Sequence, residues 1–151
     1  MDGEQWLNFR ENMRYFRLSQ GITGKQMAAR MGKSVSWVSH TETGFYAQWP
    51  TPETMQAISQ VLGVSIKQMV APLPPGIVLN ISPMESSRGI SNLEKIRKHR
   101  KLSKRQFSDK LGISRSAYSS VSNGYHDFSI ENWWQIARAL NMDLRILIGR
   151  D

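Results

Sequence analysis

Residues 102–124, LSKRQFSDKLGISRSAYSSVSNG, repeat residues 22–44, ITGKQMAARMGKSVSWVSHTETG, eighty positions on and without a gap. Gln26 falls on Gln106, Gly32 on Gly112, Ser34 on Ser114, Ser36 on Ser116, Ser39 on Ser119 and Gly44 on Gly124. Conservative pairs fill much of the rest: Ile22 with Leu102, Thr23 with Ser103, Met27 with Phe107, Arg30 with Lys110, and Met31 with Leu111. The chain therefore holds one unit twice.

The residue types within each copy set its local structure. Thr23 and Ser103 are N-cap residues for a short helix whose inward face is Met27, Ala28 and Met31, or Phe107, Ser108 and Leu111. Gly32 and Gly112 supply a left-handed C-cap, so the chain turns sharply there. Ser34 and Ser114 cap the next helix, with Val38 and Thr41, or Tyr118 and Val121, facing inward. This is the layout of a helix-turn-helix, two short helices around a tight turn with one face left free.

The pattern extends outward from both copies. Phe9, Met13 and Phe16 recur at helical spacing and predict a helix over residues 4–19. After a loop at residues 47–52, Glu53 begins a fourth helix with Met55, Ile58 and Leu62 inside, and Gly63 stops it. Ser65 then starts a short fifth helix with Ile66, Met69 and Val70 inward. In the second copy, Leu93 and Ile96 lie on the first helix. The fourth runs from Ile130 with Trp133, Ile136, Ala137 and Leu140 inside, and Leu144, Leu147 and Ile148 end the unit. Asn141 stands where Gly63 does, a residue that tolerates the left-handed region. The loop after the third helix is two residues shorter here, so the offset falls to seventy-eight.

Both copies resemble the lambda-repressor-like, or Cro/XRE-type, helix-turn-helix family. The second copy is the closer match, in its Leu-Ser opening, its Lys-Leu-Gly-Ile-Ser and its final Asn-Gly. The first keeps an acidic residue in Glu42-Thr43-Gly44 and lacks the Asn. The resemblance covers residues 7–70 and 90–148. It implies an all-α chain of two tandem five-helix domains, at residues 1–70 and 90–151, joined by a Pro-rich linker at residues 71–89. Four of the six prolines lie in that linker. Within it, residues 77–81 form a β-prone pentapeptide, a candidate short strand or an apolar stretch lying against one domain.

Carried across position by position, the resemblance implies a DNA-facing set. In the second domain Lys104 and Arg105 would hold phosphates, and Ser114, Arg115, Ser116 and Ser120 would face the major groove with Ser119 beside them. Arg115 is the expected base reader, since a guanidinium bonds guanine O6 and N7 bidentately. Asn123 and Tyr125 would fix the DNA backbone. In the first domain Gly24, Ser34, Val35, Ser36 and His40 take the matching places, with Lys25 and Lys33 as the nearest phosphate candidates. None of them offers a bidentate fork, so a protein-contact role for this domain is the rival expectation. Trp37 lies off the expected core face. The family's Arg–Glu link between the first and third helices matches Arg17 and Glu42; in the second copy Arg97 meets Ser122, which predicts that the link is lost and the arginine freed.

Composition agrees with a polyanionic partner. The net charge is +8 and the pI near 10.1. Residues 1–70 hold seven Lys/Arg against five Asp/Glu, and residues 90–151 hold twelve against six, so the second half should supply more phosphate attraction. The absence of cysteine removes disulfides and thiolate metal sites. His40, His99 and His126 lie on different segments without a ligand-type partner, so neither metal nor cofactor is expected. Ser36 and His40 share a helix face without a third orienting group, and no Gly-rich phosphate loop or paired carboxylates occur, so no enzymatic activity is expected. The Met-Asp-Gly-Glu start has no basic or apolar signal region, and no apolar run approaches the ~18 residues of a membrane span. The expected protein is cytoplasmic and nucleoid-associated when bound to DNA.

The function predicted is sequence-specific binding of double-stranded DNA by a transcriptional regulator, an autoregulatory repressor of a phage, plasmid or other mobile element. The alternative is an antitoxin-like or inhibitor module in which one domain grips a protein. A homodimer is favoured over a single-chain pseudo-dimer, with Trp134 and Ile146 as its surface.

Overall fold

The computed structural model describes residues 2–45 and 49–150, and the chain divides into two compact units, residues 1–79 and 80–151. Unit 1 contains α1 (Gly3–Ser19), α2 (Gly24–Met31), α3 (Val35–Thr43), α4 (Pro52–Leu62) and α5 (Ile66–Val70). Unit 2 contains α6 (Pro83–His99), α7 (Lys104–Leu111), α8 (Arg115–Ser122), α9 (Ile130–Leu140) and α10 (Leu144–Leu147). The fold is all-α, two helix-turn-helix units in tandem. No helix among the described residues is long and apolar enough to cross a membrane.

Caps account for most helix boundaries. Thr23, Ser65 and Ser103 each accept from the backbone three residues on, while the Gln at that position reaches back to the cap. Such reciprocal boxes satisfy two otherwise orphaned N–H groups. Gly32 and Gly112 take φ of 65° and 72° at the turn between the two central helices, a region that disfavours side chains. Asn141 takes the same conformation at φ 52° where unit 1 has Gly63.

The first unit closes around Phe9, Met13, Met27, Val38, Ile58, Leu62 and Met69, with Trp6, Phe16, Met31 and Trp37 half-buried against that core. The second closes around Leu93, Phe107, Leu111, Tyr118, Trp133, Ile136 and Leu147. First and last helices are tied by side chains. Asn12 donates to the Met69 and Ala71 carbonyls at 3.0 and 2.6 Å, and Asn92 donates to Leu147 at 2.8 Å. Asn8 reaches the Val70 carbonyl, as Arg88 reaches that of Ile148.

Several expectations need correction. The linker expected to run to residue 89 gives way to α6 at Pro83, because Ser82 and Glu85 form a capping box and Pro83 sits at a first-turn position, where its missing N–H costs nothing. The repeat thus begins earlier than expected: Asp2 and Gln5 form the matching box on α1. Of the two readings of residues 77–81, the strand is not formed and the structure agrees with the apolar stretch: Val78 is buried, and the Asn80 carbonyl accepts from Arg150. Ile66 is exposed rather than inward, since Met69 alone carries the buried face of the five-residue α5. Val70 and Leu140 are only half-buried. Helix α4 starts at Pro52 with Thr51 as its cap, one residue before the expected start. Residues 47 and 48 of the expected loop lie outside the described residues.

The arginine link also needs correction. Arg17 and Glu42 do form a buried bidentate pair, at 2.8 and 2.9 Å with both side chains 3% exposed. Arg97, however, is not freed. It pairs with Glu94 one turn earlier on its own helix, at 2.6 and 3.0 Å, and Tyr118 donates to the same carboxylate. Both arginines also donate to the first carbonyl past the turn, Ile22 or Leu102. The carboxylate has moved from the third helix to the first, and the arginine keeps its place. Burial pushes the Glu94 carboxyl up, but the Arg97 and Tyr118 hydrogen bonds outweigh it and leave its pKa below the ordinary value.

Candidate nucleic-acid interface

In unit 2, α7 and α8 present a mostly polar surface. Arg115 is the first residue of α8 and its side chain is half-exposed. Its guanidinium is paired with Asp109 across the turn, at 3.1 and 3.3 Å. The Arg115 hydrogen bond in turn lowers the Asp109 pKa. Lys104, the first residue of α7, donates to the Asn123 side-chain carbonyl at 3.0 Å, and the Asn123 amide lies 3.4 Å from the Ser119 hydroxyl. These bonds bring the start of α7 and the end of α8 together. Ser114 is occupied as the α8 cap, accepting from Ala117 N–H, with Ser116 beside it and exposed. Ser120 is bonded to His126 Nδ1. Arg105 and Tyr125 are exposed, Tyr125 to 77%.

Unit 1 gives a less polar face. Ser34 caps α3 by accepting from Trp37 N–H, and Ser36 is exposed. Val35 is 52% exposed. His40 stacks on Phe45, rings 4.2 Å apart and 23° from parallel. Lys33 lies over the Trp37 ring at 5.6 Å, and Lys25 is exposed. Trp37 itself packs half-buried on the core.

Several residues beyond the expected set border this surface. Asp109 and Arg115 are six residues apart on different helices, a spacing that no single-helix rule flags. Three exposed cations, Lys98, Arg100 and Lys101, lie at the end of α6 and lead straight into the start of α7. Their charges were legible, since the run Lys-His-Arg-Lys stands two residues before Ser103. Lys101 adds a conformational signal. It holds φ 58° where unit 1 has Gly21 at φ 70°. A lysine in that region carries strain a glycine would avoid.

Two segments, residues 13–68 and 93–147, match a family model described as helix-turn-helix. The chain belongs to this family, of the Cro/C1 type, whose members are DNA-binding regulators. No curated protein and no solved structure matches the chain.

Proposed function

We propose that the chain is a sequence-specific regulator of transcription that reads double-stranded DNA in the major groove with α3 and α8, chiefly α8. The observation that carries this is the gathering of cations around the α7–α8 pair: exposed Lys98, Arg100 and Lys101 before α7, half-buried Lys104 and exposed Arg105 on it, and Arg115 at the tip of α8. A helix N-terminus and flanking cations suit phosphate, while a forked side chain at the tip suits a guanine edge. Arg115 leaves Asp109 cheaply, because an exposed ion pair is worth little in water. Ser114, Ser116, Ser119 and Ser120 supply adaptable contacts, with Asn123 and Tyr125 at the phosphates. In unit 1, Lys25, Lys33, Ser34, Val35, Ser36 and His40 make the weaker contacts.

Binding of this kind represses by covering a promoter, and autoregulation of a mobile element suits so small a design. The protein acts in the cytoplasm, on the nucleoid when bound. It works as a homodimer through exposed Ile146 and half-buried Trp134, which sedimentation at several concentrations tests directly.

The decisive experiment selects bound sequences from a random duplex pool, with wild type and Arg115→Ala compared at physiological salt. An enriched motif that relaxes at one base pair in the variant supports the reading. No enrichment for wild type overturns it in favour of a protein partner gripped through unit 1.

A further inference from the structure

Behind α3 lies a hollow of about 340 Å3 walled by Trp6 from α1, Trp37 from α3 and Trp49 from the approach to α4, with His40, Thr41 and Thr54 completing it. Trp6 and Trp49 stack at 5.4 Å and 18°. We propose that this hollow binds a planar aromatic small molecule, neutral or anionic, of one or two rings.

The second unit provides the comparison that carries the inference. It has a hollow of about 350 Å3 at the same place, behind α8, lined by Ala117, Ser120, Val121, Asp127 and Asn132. Trp37 corresponds to Ala117 and Trp49 to Asp127, while Trp6 corresponds to Ser86. The stacked pair of unit 1 is replaced there by a hydrogen bond, Ser86 to Asp127 at 3.2 Å. One fold is thus built with three tryptophans around the hollow and again with none. Trp6 and Trp37 pack in part on the unit 1 core, Trp6 stacking on Phe9 at 6.0 Å, yet the same helices close in unit 2 without any of the three. The indoles leave a space of similar volume, so they line the hollow rather than fill it.

Wall chemistry selects the guest. Pockets of about 300 Å3 and upward, apolar with a few polar groups, suit small organic ligands. Flat indole faces favour another flat ring in offset or edge contact. Arg10 lies over Trp6 at 5.7 Å and Lys33 over Trp37 at 5.6 Å. No carboxylate lines the hollow among the described residues. A cationic guest would meet two walls already carrying a cation, whereas a neutral or anionic ring would not. Because Trp37, His40 and Thr41 all belong to α3, occupancy alters how α3 is presented. That consequence rests on the DNA-reading role proposed above; the site itself does not.

The test is a titration of the full chain labelled with 5-fluorotryptophan, followed by fluorine NMR in the absence of DNA. The probes are indole, 2-naphthoate and tetramethylammonium. Saturable shifts of Trp6, Trp37 and Trp49 with indole or naphthoate, with Trp133 and Trp134 unmoved, support the site. No saturable shift, equal shifts at all five tryptophans, or saturation by tetramethylammonium alone overturns it. Calorimetry on the triple variant Trp6→Ser, Trp37→Ala, Trp49→Asp, which installs the residues of unit 2, should show no binding. Should that variant fail to fold, Trp37→Ala alone should weaken binding about tenfold or more, the loss of one buried aromatic wall. Unchanged affinity in the variant that folds overturns the site. DNA affinity with and without saturating indole tests only the coupling to α3, which an unchanged value would overturn.

Discussion

Gly89, inside α6, lies flat against the Trp133 ring of α9: a Cβ on it would stand 2.6 Å from the ring's Cη2 atom. The matching positions in unit 1 are Phe9 and Met55, both buried in that core. A large residue on the first helix faces a medium one on the fourth in one unit, and the smallest faces the largest in the other. Overpacking costs about 1–3 kcal/mol, against about 0.5–1 gained by removing a helical glycine. Gly89→Ala should therefore lower stability on balance in denaturant unfolding. Gly89→Phe should do so severely, and the double variant Gly89→Phe/Trp133→Met should recover much of the loss. A double variant no better than the single one would refute the exchange.

The two arginine links should differ in cost. Breaking a buried pair strands a charge and typically costs about 3–5 kcal/mol. Glu42→Ala should approach that figure, since both partners are 3% exposed. Glu94→Ala should cost less, because Arg97 and Glu94 are 15% and 20% exposed and water can replace the lost contact. Unfolding followed by a probe placed in each unit would check the order.

Asp109 pairs with Arg115, and the proposed DNA reading would bring phosphates near both. Asp109→Asn removes a negative charge from the interface and frees the guanidinium. We expect DNA affinity to rise severalfold with the preferred sequence unchanged. A fall in affinity would mean that Asp109 positions Arg115 for reading, which competitive binding assays would reveal.

Lys101 gives a prediction with two signs. Lys101→Gly relieves a left-handed lysine and should stabilise the fold by up to about 1 kcal/mol. The same change removes a cation near α7, so DNA affinity should fall and the logarithmic salt slope should shrink by about one. Thermal melting and salt-dependent binding together check it. A stabilised variant with unaltered salt slope would remove Lys101 from the interface.

Acid should act on unit 2 through Glu85. Its hydrogen bond from Arg150, helped by Ser82 at the cap, lowers its pKa from 4.5 to about 2. A carboxyl with a depressed folded pKa contributes stability that is complete above the unfolded value and lost as pH falls through the folded one. The loss should run from about pH 4.5 down to about 2, and Glu85→Gln should flatten it. Unfolding curves of both proteins across that range provide the measurement.

Local chemistry explains how much was legible. Thr23, Ser34, Ser103 and Ser114 were readable as caps because a cap depends on three neighbouring residues, and Gly32 and Gly112 because a turn depends on one. Pro83 was misread for the same reason: a proline breaks a helix inside but opens one at its first turn, and only the Ser82–Glu85 box separates the cases. Arg97 was misread because its partner changed helix, a three-dimensional substitution that alignment of the two copies conceals. The Arg115–Asp109 contact and the tryptophan hollow were hidden for a related reason. They join residues whose separation in sequence follows no helical period.

The ties from first helix to last have a consequence for how such a chain arises. Asn12 on α1 grips carbonyls at the end of α5, Asn92 on α6 grips Leu147, and Arg150 reaches back to Glu85. In unit 2 the incoming and outgoing ends of the chain therefore lie side by side, like the two leads of a plug-in component. In unit 1 the tie runs from the middle of α1 to the end of α5. A block with adjoining leads can be copied and spliced beside itself without any helix being rerouted. Each block holds its own side chains on one architecture: three tryptophans around a hollow in unit 1, and a serine–aspartate hydrogen bond at the same place in unit 2.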